Sequence, residues 1–143
     1  MPVSGRILSL AVQTMLASAT GRSCGYGVAP TASSLPTGAA TPYSVLYPIG
    51  STSDGPPFGD VSADARILYQ VTSVATTAEQ AEWMADKVRA AMVARAGTGY
   101  TYPIVASGYA VMSRELDKEE GVAVTSGVYS YIQRFALEVT TLA

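Results

Sequence analysis

Apolar residues recur at helical spacing twice in this chain, and each time a run with strand-like alternation follows. Ile7, Leu8, Ala11, Met15 and Leu16 share one face of a helix over about residues 4–19, with Ser9, Gln13 and Thr14 elsewhere, Ser4 as its cap and Gly21 as its end. Tyr43 to Tyr47 reads as a strand, and Arg66 to Val74 sets Ile67, Tyr69 and Val71 against Arg66, Gln70 and Thr72, the period of two that marks a half-buried strand. Thr77-Ala78-Glu79-Gln80 is a capping box, which satisfies two helix-start amides and opens a second helix over about residues 77–96. Its stripe is Ala81, Met84, Ala85, Val88, Ala91 and Met92, with Trp83 at the border as a packing residue and Gly97 as the stop. Tyr109 to Leu116 is a third strand. A fourth begins at Val128, with Tyr129, Tyr131, Phe135, Leu137 and Val139 on one face and Ser130, Arg134, Glu138 and Thr140 on the other.

The order is αββαββ. The fold class expected is α+β: a two-layer domain with a four-stranded, mostly antiparallel sheet and two helices on one face, because one shared layer buries both apolar stripes. Three stretches fall outside the periodic segments. Residues 20–42 are mostly Gly, Ala, Ser, Thr and Pro and read as a long flexible connector. Gly50 to Asp60, containing Asp54-Gly55-Pro56-Pro57, reads as a loop, extended to Asp64 as an assembly contact. Asp117 to Gly121 reads as a charged connector reaching Gly127.

At 143 residues the chain suits one domain, residues 1–143, with enough core to fold without staples. Only 14% of residues are charged, where about a quarter is typical. A surface so poor in charge fits a subunit covered by neighbours better than a free monomer. Nine basic against eleven acidic residues, net −2, with no basic block, argue against tight nucleic-acid binding. Arg6, the apolar run after it and Ala17-Ser18-Ala19 imitate a secretory signal, but Ile7 to Val12 is short for that role and Gln13 and Thr14 break it, so the segment reads as a helix. No apolar run approaches the ~18 residues of a membrane span.

Candidate chemistry is sparse. Gly21-Arg22-Ser23-Cys24-Gly25 matches the G-x-S-x-G nucleophile elbow, yet a helix precedes it where the elbow needs a strand, and the chain has no histidine to take the serine proton. No phosphate-cradling glycine motif follows a strand. Cys24 is the single cysteine, so neither an internal disulfide nor a Cys/His metal cluster can form, and it reads as an incidental packing residue. Glu115, Asp117, Glu119 and Glu120 lack an EF-hand's ligand spacing and are interleaved with Arg114 and Lys118. No catalytic, cofactor or metal residues are assigned, and the chain is expected not to be an enzyme.

The helix opening Thr76-Thr77-Ala78-Glu79-Gln80-Ala81, directly after the strand Ile67-Leu68-Tyr69-Gln70-Val71-Thr72-Ser73-Val74, and the closing run Tyr131 to Thr140 together resemble tail terminator proteins of long-tailed bacteriophages. The resemblance covers roughly residues 43–141, and no counterpart is placed for residues 21–42. It implies a structural virion protein forming a ring, a homohexamer, which caps the head-proximal end of the tail tube, ends tube growth and joins the tail to head-completion (neck) proteins. The implied partners are further copies of the chain, the tail tube protein and a neck protein, with DNA passing through the channel without specific binding and no membrane. The implied location is the tail-neck junction of the virion, and the host cytoplasm during assembly. The alternatives are another neck or tube protein, or a small ligand-binding α+β domain with a closed apolar pocket.

Assembly contacts are expected in two places. The first is the stiff loop with Asp54, Pro56, Pro57, Phe58 and Asp60, where Phe58 serves as the anchor because prolines lower the entropy lost on ordering. The second is the charged segment with Arg114, Glu115, Asp117, Lys118, Glu119 and Glu120, suited to selecting a partner by charge.

Overall fold

The structure is a computed structural model and describes residues 5–27, 42–54, 64–97 and 99–141. The elements run α1 (Gly5–Thr20), β1 (Cys24–Tyr26), β2 (Tyr43–Asp54), β3 (Asp64–Ala75), α2 (Ala78–Val93), β4 (Arg95–Ala96), β5 (Gly99–Tyr100), β6 (Tyr109–Thr125) and β7 (Val128–Thr141). The class is α+β as expected, but the main sheet has five strands, in the order β1-β2-β3-β7-β6, and β4 and β5 form a separate small hairpin. The added strand is Cys24-Gly25-Tyr26, which lies parallel to β2 inside the segment read as a connector; all other neighbours are antiparallel. Three residues with two small side chains carry too little periodicity to be read as a strand.

Both helices lie on one face of the sheet. Leu8, Val12, Met15 and Leu16 of α1 and Met84, Val88, Ala91 and Met92 of α2 share a core with Leu46, Ile67, Tyr69, Val71, Phe135, Leu137 and Val139. α2 sits over β3, β7 and β6, while α1 lies beside α2 over the β1 and β2 side. Tyr69 reaches across the layers, its hydroxyl 2.9 Å from Ser9 Oγ, and burial pushes its pKa up to about 12 despite that hydrogen bond. Gln133, on the core face between Tyr131 and Phe135, is fully buried and donates to the carbonyl of Ala85 on α2.

The helix ends explain themselves locally. Gly21 follows α1 at φ 70°, the left-handed conformation that glycine adopts without strain, and the Thr20 hydroxyl donates to the carbonyl of Leu16. Thr77 caps α2, its hydroxyl accepting from the Gln80 amide, but the Gln80 side chain accepts from the Thr76 hydroxyl, so the capping box closes through a hydroxyl rather than a second amide. α2 stops at Val93, earlier than expected, because Ala94 turns extended; Gly97, at φ 61°, belongs to the β4–β5 turn.

Strand extends into both expected loops. β2 continues through Gly50 to Asp54, accommodating Pro48 by a bulge between Pro48 and Gly50, a place where a residue without an amide hydrogen is tolerated. The expected charged connector 117–127 is the second half of β6. Its only turn is Ser126-Gly127, with φ 52° and 77°, the two-residue geometry whose twist suits a hairpin.

Candidate assembly surfaces

β6 is an edge of the sheet and holds the charged candidates. Its register against β7 shifts three times, between Val111 and Ser113, Leu116 and Lys118, and Glu119 and Gly121. Each shift inserts one extra residue, bends the strand and changes which side chains face the helices. The candidate residues therefore divide between the two faces instead of forming one charged tip.

On the face opposite the helices, Arg66 of β3 gathers three carboxylates. Its Nη1 lies 2.7 Å from Glu115 and 3.3 Å from Glu138, and Nη2 lies 3.9 Å from Asp117. The hydrogen bonds that Arg66 donates to Glu115 and Glu138 raise the pKa of this guanidinium, against a smaller opposing effect of burial. One cation against three anions leaves the patch acidic. Lys118 pairs with Glu120 at 3.4 Å on the same strand. These pairs are solvated, so their value lies in the field they present to a partner more than in fold stability.

On the helix face, Glu119 accepts from Arg89 Nε of α2 at 2.9 Å, from Arg89 Nη2, and from Gln133 Nε2 at 2.8 Å. Burial works to raise the Glu119 pKa, but the hydrogen bonds from Gln133 and Arg89 and the Arg89 charge outweigh it and hold it below the ordinary carboxylate value. Glu119 thus ties β6 to α2 and β7. Arg114 is only 8% exposed; it points to the end of α2, donates from Nη1 to the carbonyl of Met92 at 3.3 Å and lies over the ring of Tyr100 at 4.4 Å. Sequence reasoning grouped both in one charged assembly segment, with Arg114 on the third strand and Glu119 in the connector after it; the bulges, invisible to a fixed period, turn them inward.

Asp54 ends β2, paired with Asp64 at the start of β3. Pro56, Pro57, Phe58 and Asp60 lie outside the described residues. Trp83, expected as a packing residue, is 45% exposed on α2, with the ammonium of Lys87 5.4 Å from its ring centre. Further apolar surface is exposed at Val122, Val124 and Val128 near the β6–β7 turn. A groove of about 520 Å³ runs between α1 and residues 102–107, lined by Leu10, Ala11, Met15, Tyr102, Pro103 and Val105 among others. Cys24 is buried, and burial pushes its thiol pKa up, away from the reactive thiolate. No helix among the described residues is long and apolar enough to cross a membrane.

No protein-family model matches the chain, and no curated protein matches it. Among solved structures the chain is similar to a chain in the virion of the native gene transfer agent (GTA) particle, with a TM-score of 0.59 and 17% sequence identity over 93% of this chain and 94% of that one. The similarity spans nearly the whole of both chains, so the shared feature is the complete architecture, not a common α+β fragment.

Proposed function

We propose that this chain is a structural virion protein that forms a ring, most simply a hexamer, capping the head-proximal end of a tail tube. In this reading it ends tube polymerisation and joins the tail to the head-completion proteins, without catalysing a reaction. The observation that carries it is the whole-chain likeness in fold to a component of a virion particle, joined to the resemblance of the capped α2 and closing β7 segments to tail terminators. The surface agrees with a subunit that has several neighbours. Trp83, the valines around Ser126-Gly127 and the groove beside α1 expose apolar area in separate places, and the acidic Arg66 cluster marks another.

The physical logic is that a tube lengthens by repeating head-to-tail contacts, which continue until a subunit offers the matching face on one side only. The test is the solution mass of the purified chain alone and with its tail tube protein, paired with electron micrographs of growing tubes. A ring that blocks growth at one tube end is expected. A chain that stays monomeric in both conditions and leaves tube growth unchanged overturns the reading.

A further inference from the structure

At the C-terminal end of α2 lies a cleft of about 360 Å³ lined by Arg95, Gly99, Tyr100, Pro103, Ile104, Val111, Met112 and Arg114. Its construction is cationic. The Tyr100 ring is flanked by two guanidiniums, Arg114 at 4.4 Å and Arg95 at 5.1 Å. The Tyr100 hydroxyl accepts from the Arg114 amide at 2.8 Å and donates to the Arg114 carbonyl at 3.2 Å, which fixes the β4–β5 hairpin against the outer edge of β6. Arg114 is more than nine-tenths buried, its Nε has no hydrogen-bond partner, and no carboxylate among the described residues pairs with it or with Arg95. Arg66 of β3 and Arg89 of α2, by contrast, both have carboxylate partners. A buried guanidinium held only by a carbonyl and a ring lacks the bidentate anion that its planar fork is shaped to bind.

The opposite end of the same helix is acidic: Glu79 and Glu82 are exposed in its first turns. The sixteen residues of α2 span about 24 Å, so the acidic end of a chain cannot reach its own arginine cleft. A second copy's can. We infer that the Arg95–Tyr100–Arg114 cleft is an intersubunit socket for a carboxylate, supplied by Glu79 or Glu82 of a neighbouring copy. Acid at one end and a socket at the other make the contact heterologous, the kind that closes into a ring when the rotation between copies allows it. A nucleic-acid phosphate is the less suitable occupant, since two arginines on a chain of net charge −2 do not make a phosphate track. The inference rests on the ring reading above and specifies one of its contacts.

The experiment measures self-association of the full chain by sedimentation at fixed salt. The variants are Arg95→Glu, Glu79→Lys with Glu82→Lys, and a chain carrying all three changes. Arg95, Glu79 and Glu82 are exposed, so the variants are expected to keep the wild-type thermal unfolding. Each charge-reversed chain should associate at least about tenfold more weakly than wild type, and the combined chain should recover part of that loss because the reversed charges again face each other. Arg95→Glu associating as well as wild type, while wild type forms rings, overturns the socket and leaves the ring reading standing. So does a loss confined to binding of duplex DNA or of the tube protein. A wild-type chain that never associates removes the ring reading and the socket with it.

Discussion

β6 and β7 are hydrogen-bonded along almost their full length, yet they are different kinds of strand. β7 lies between β3 and β6, keeps an unbroken register with β3, and buries Gln133, Phe135, Leu137 and Val139 on the helix face. β6 has a partner on one side only, is bulged three times, and is exposed along most of its second half. A long regular edge would template pairing with any passing strand. Bulges, charges and the Tyr100 hydroxyl bonded to the outward backbone of Arg114 interrupt it. The comparison teaches that the central strand is specified by burial and the edge strand by what must, and must not, dock on it.

The comparison is tested most strongly at a facing pair, Phe135 of β7 and Leu116 of β6. Phe135 has no exposed surface, so Phe135→Ala should cost about 3–5 kcal/mol in urea unfolding. Leu116 is only half-buried, and Leu116→Ala should cost about 1–2 kcal/mol in the same measurement. Equal losses at the two positions would mean that β6 is core as much as β7.

Glu119 is where the edge strand is fastened to the core, and Glu119→Gln should cost about 1 kcal/mol at neutral pH, since the hydrogen bonds from Arg89 and Gln133 lose their charged acceptor. The folded-state pKa of Glu119 is depressed, so its ionised form stabilises the fold. That contribution is complete above the unfolded value of 4.5 and is lost as pH falls through the lower folded value. The stability gap between wild type and Glu119→Gln, read from denaturant midpoints, should therefore shrink as pH falls from about 5 to about 3. A gap that widens with acid would refute the assigned role. The smallest effect is expected at Asp117, an extra residue at a bulge on the solvated face. Asp117→Asn should change stability by less than about 0.5 kcal/mol by thermal unfolding.

What the sequence determined by itself was whatever repeats at a fixed period. The stripes of α1 and α2, the alternation of β3 and β7 and the Thr77 cap are local patterns, and the structure places Leu8, Met84, Tyr69 and Phe135 in the core that those patterns imply. The α+β class follows from them, because two striped helices and alternating strands have few ways to bury their apolar sides together. The candidate surfaces were less legible. Arg114 and Glu119 are near neighbours in a run of charges, and only the bulged register, with α2 and the β4–β5 hairpin above it, makes one a buried cation on a tyrosine ring and the other a carboxylate bridging helix and sheet. The fifth strand was hidden for a related reason: Cys24-Gly25-Tyr26 has no period of its own and becomes a strand only because β2 offers it an edge. Local spacing dictates which side of an element is apolar. Where bulges reset the spacing, or where a partner strand supplies the hydrogen bonds, tertiary contacts decide.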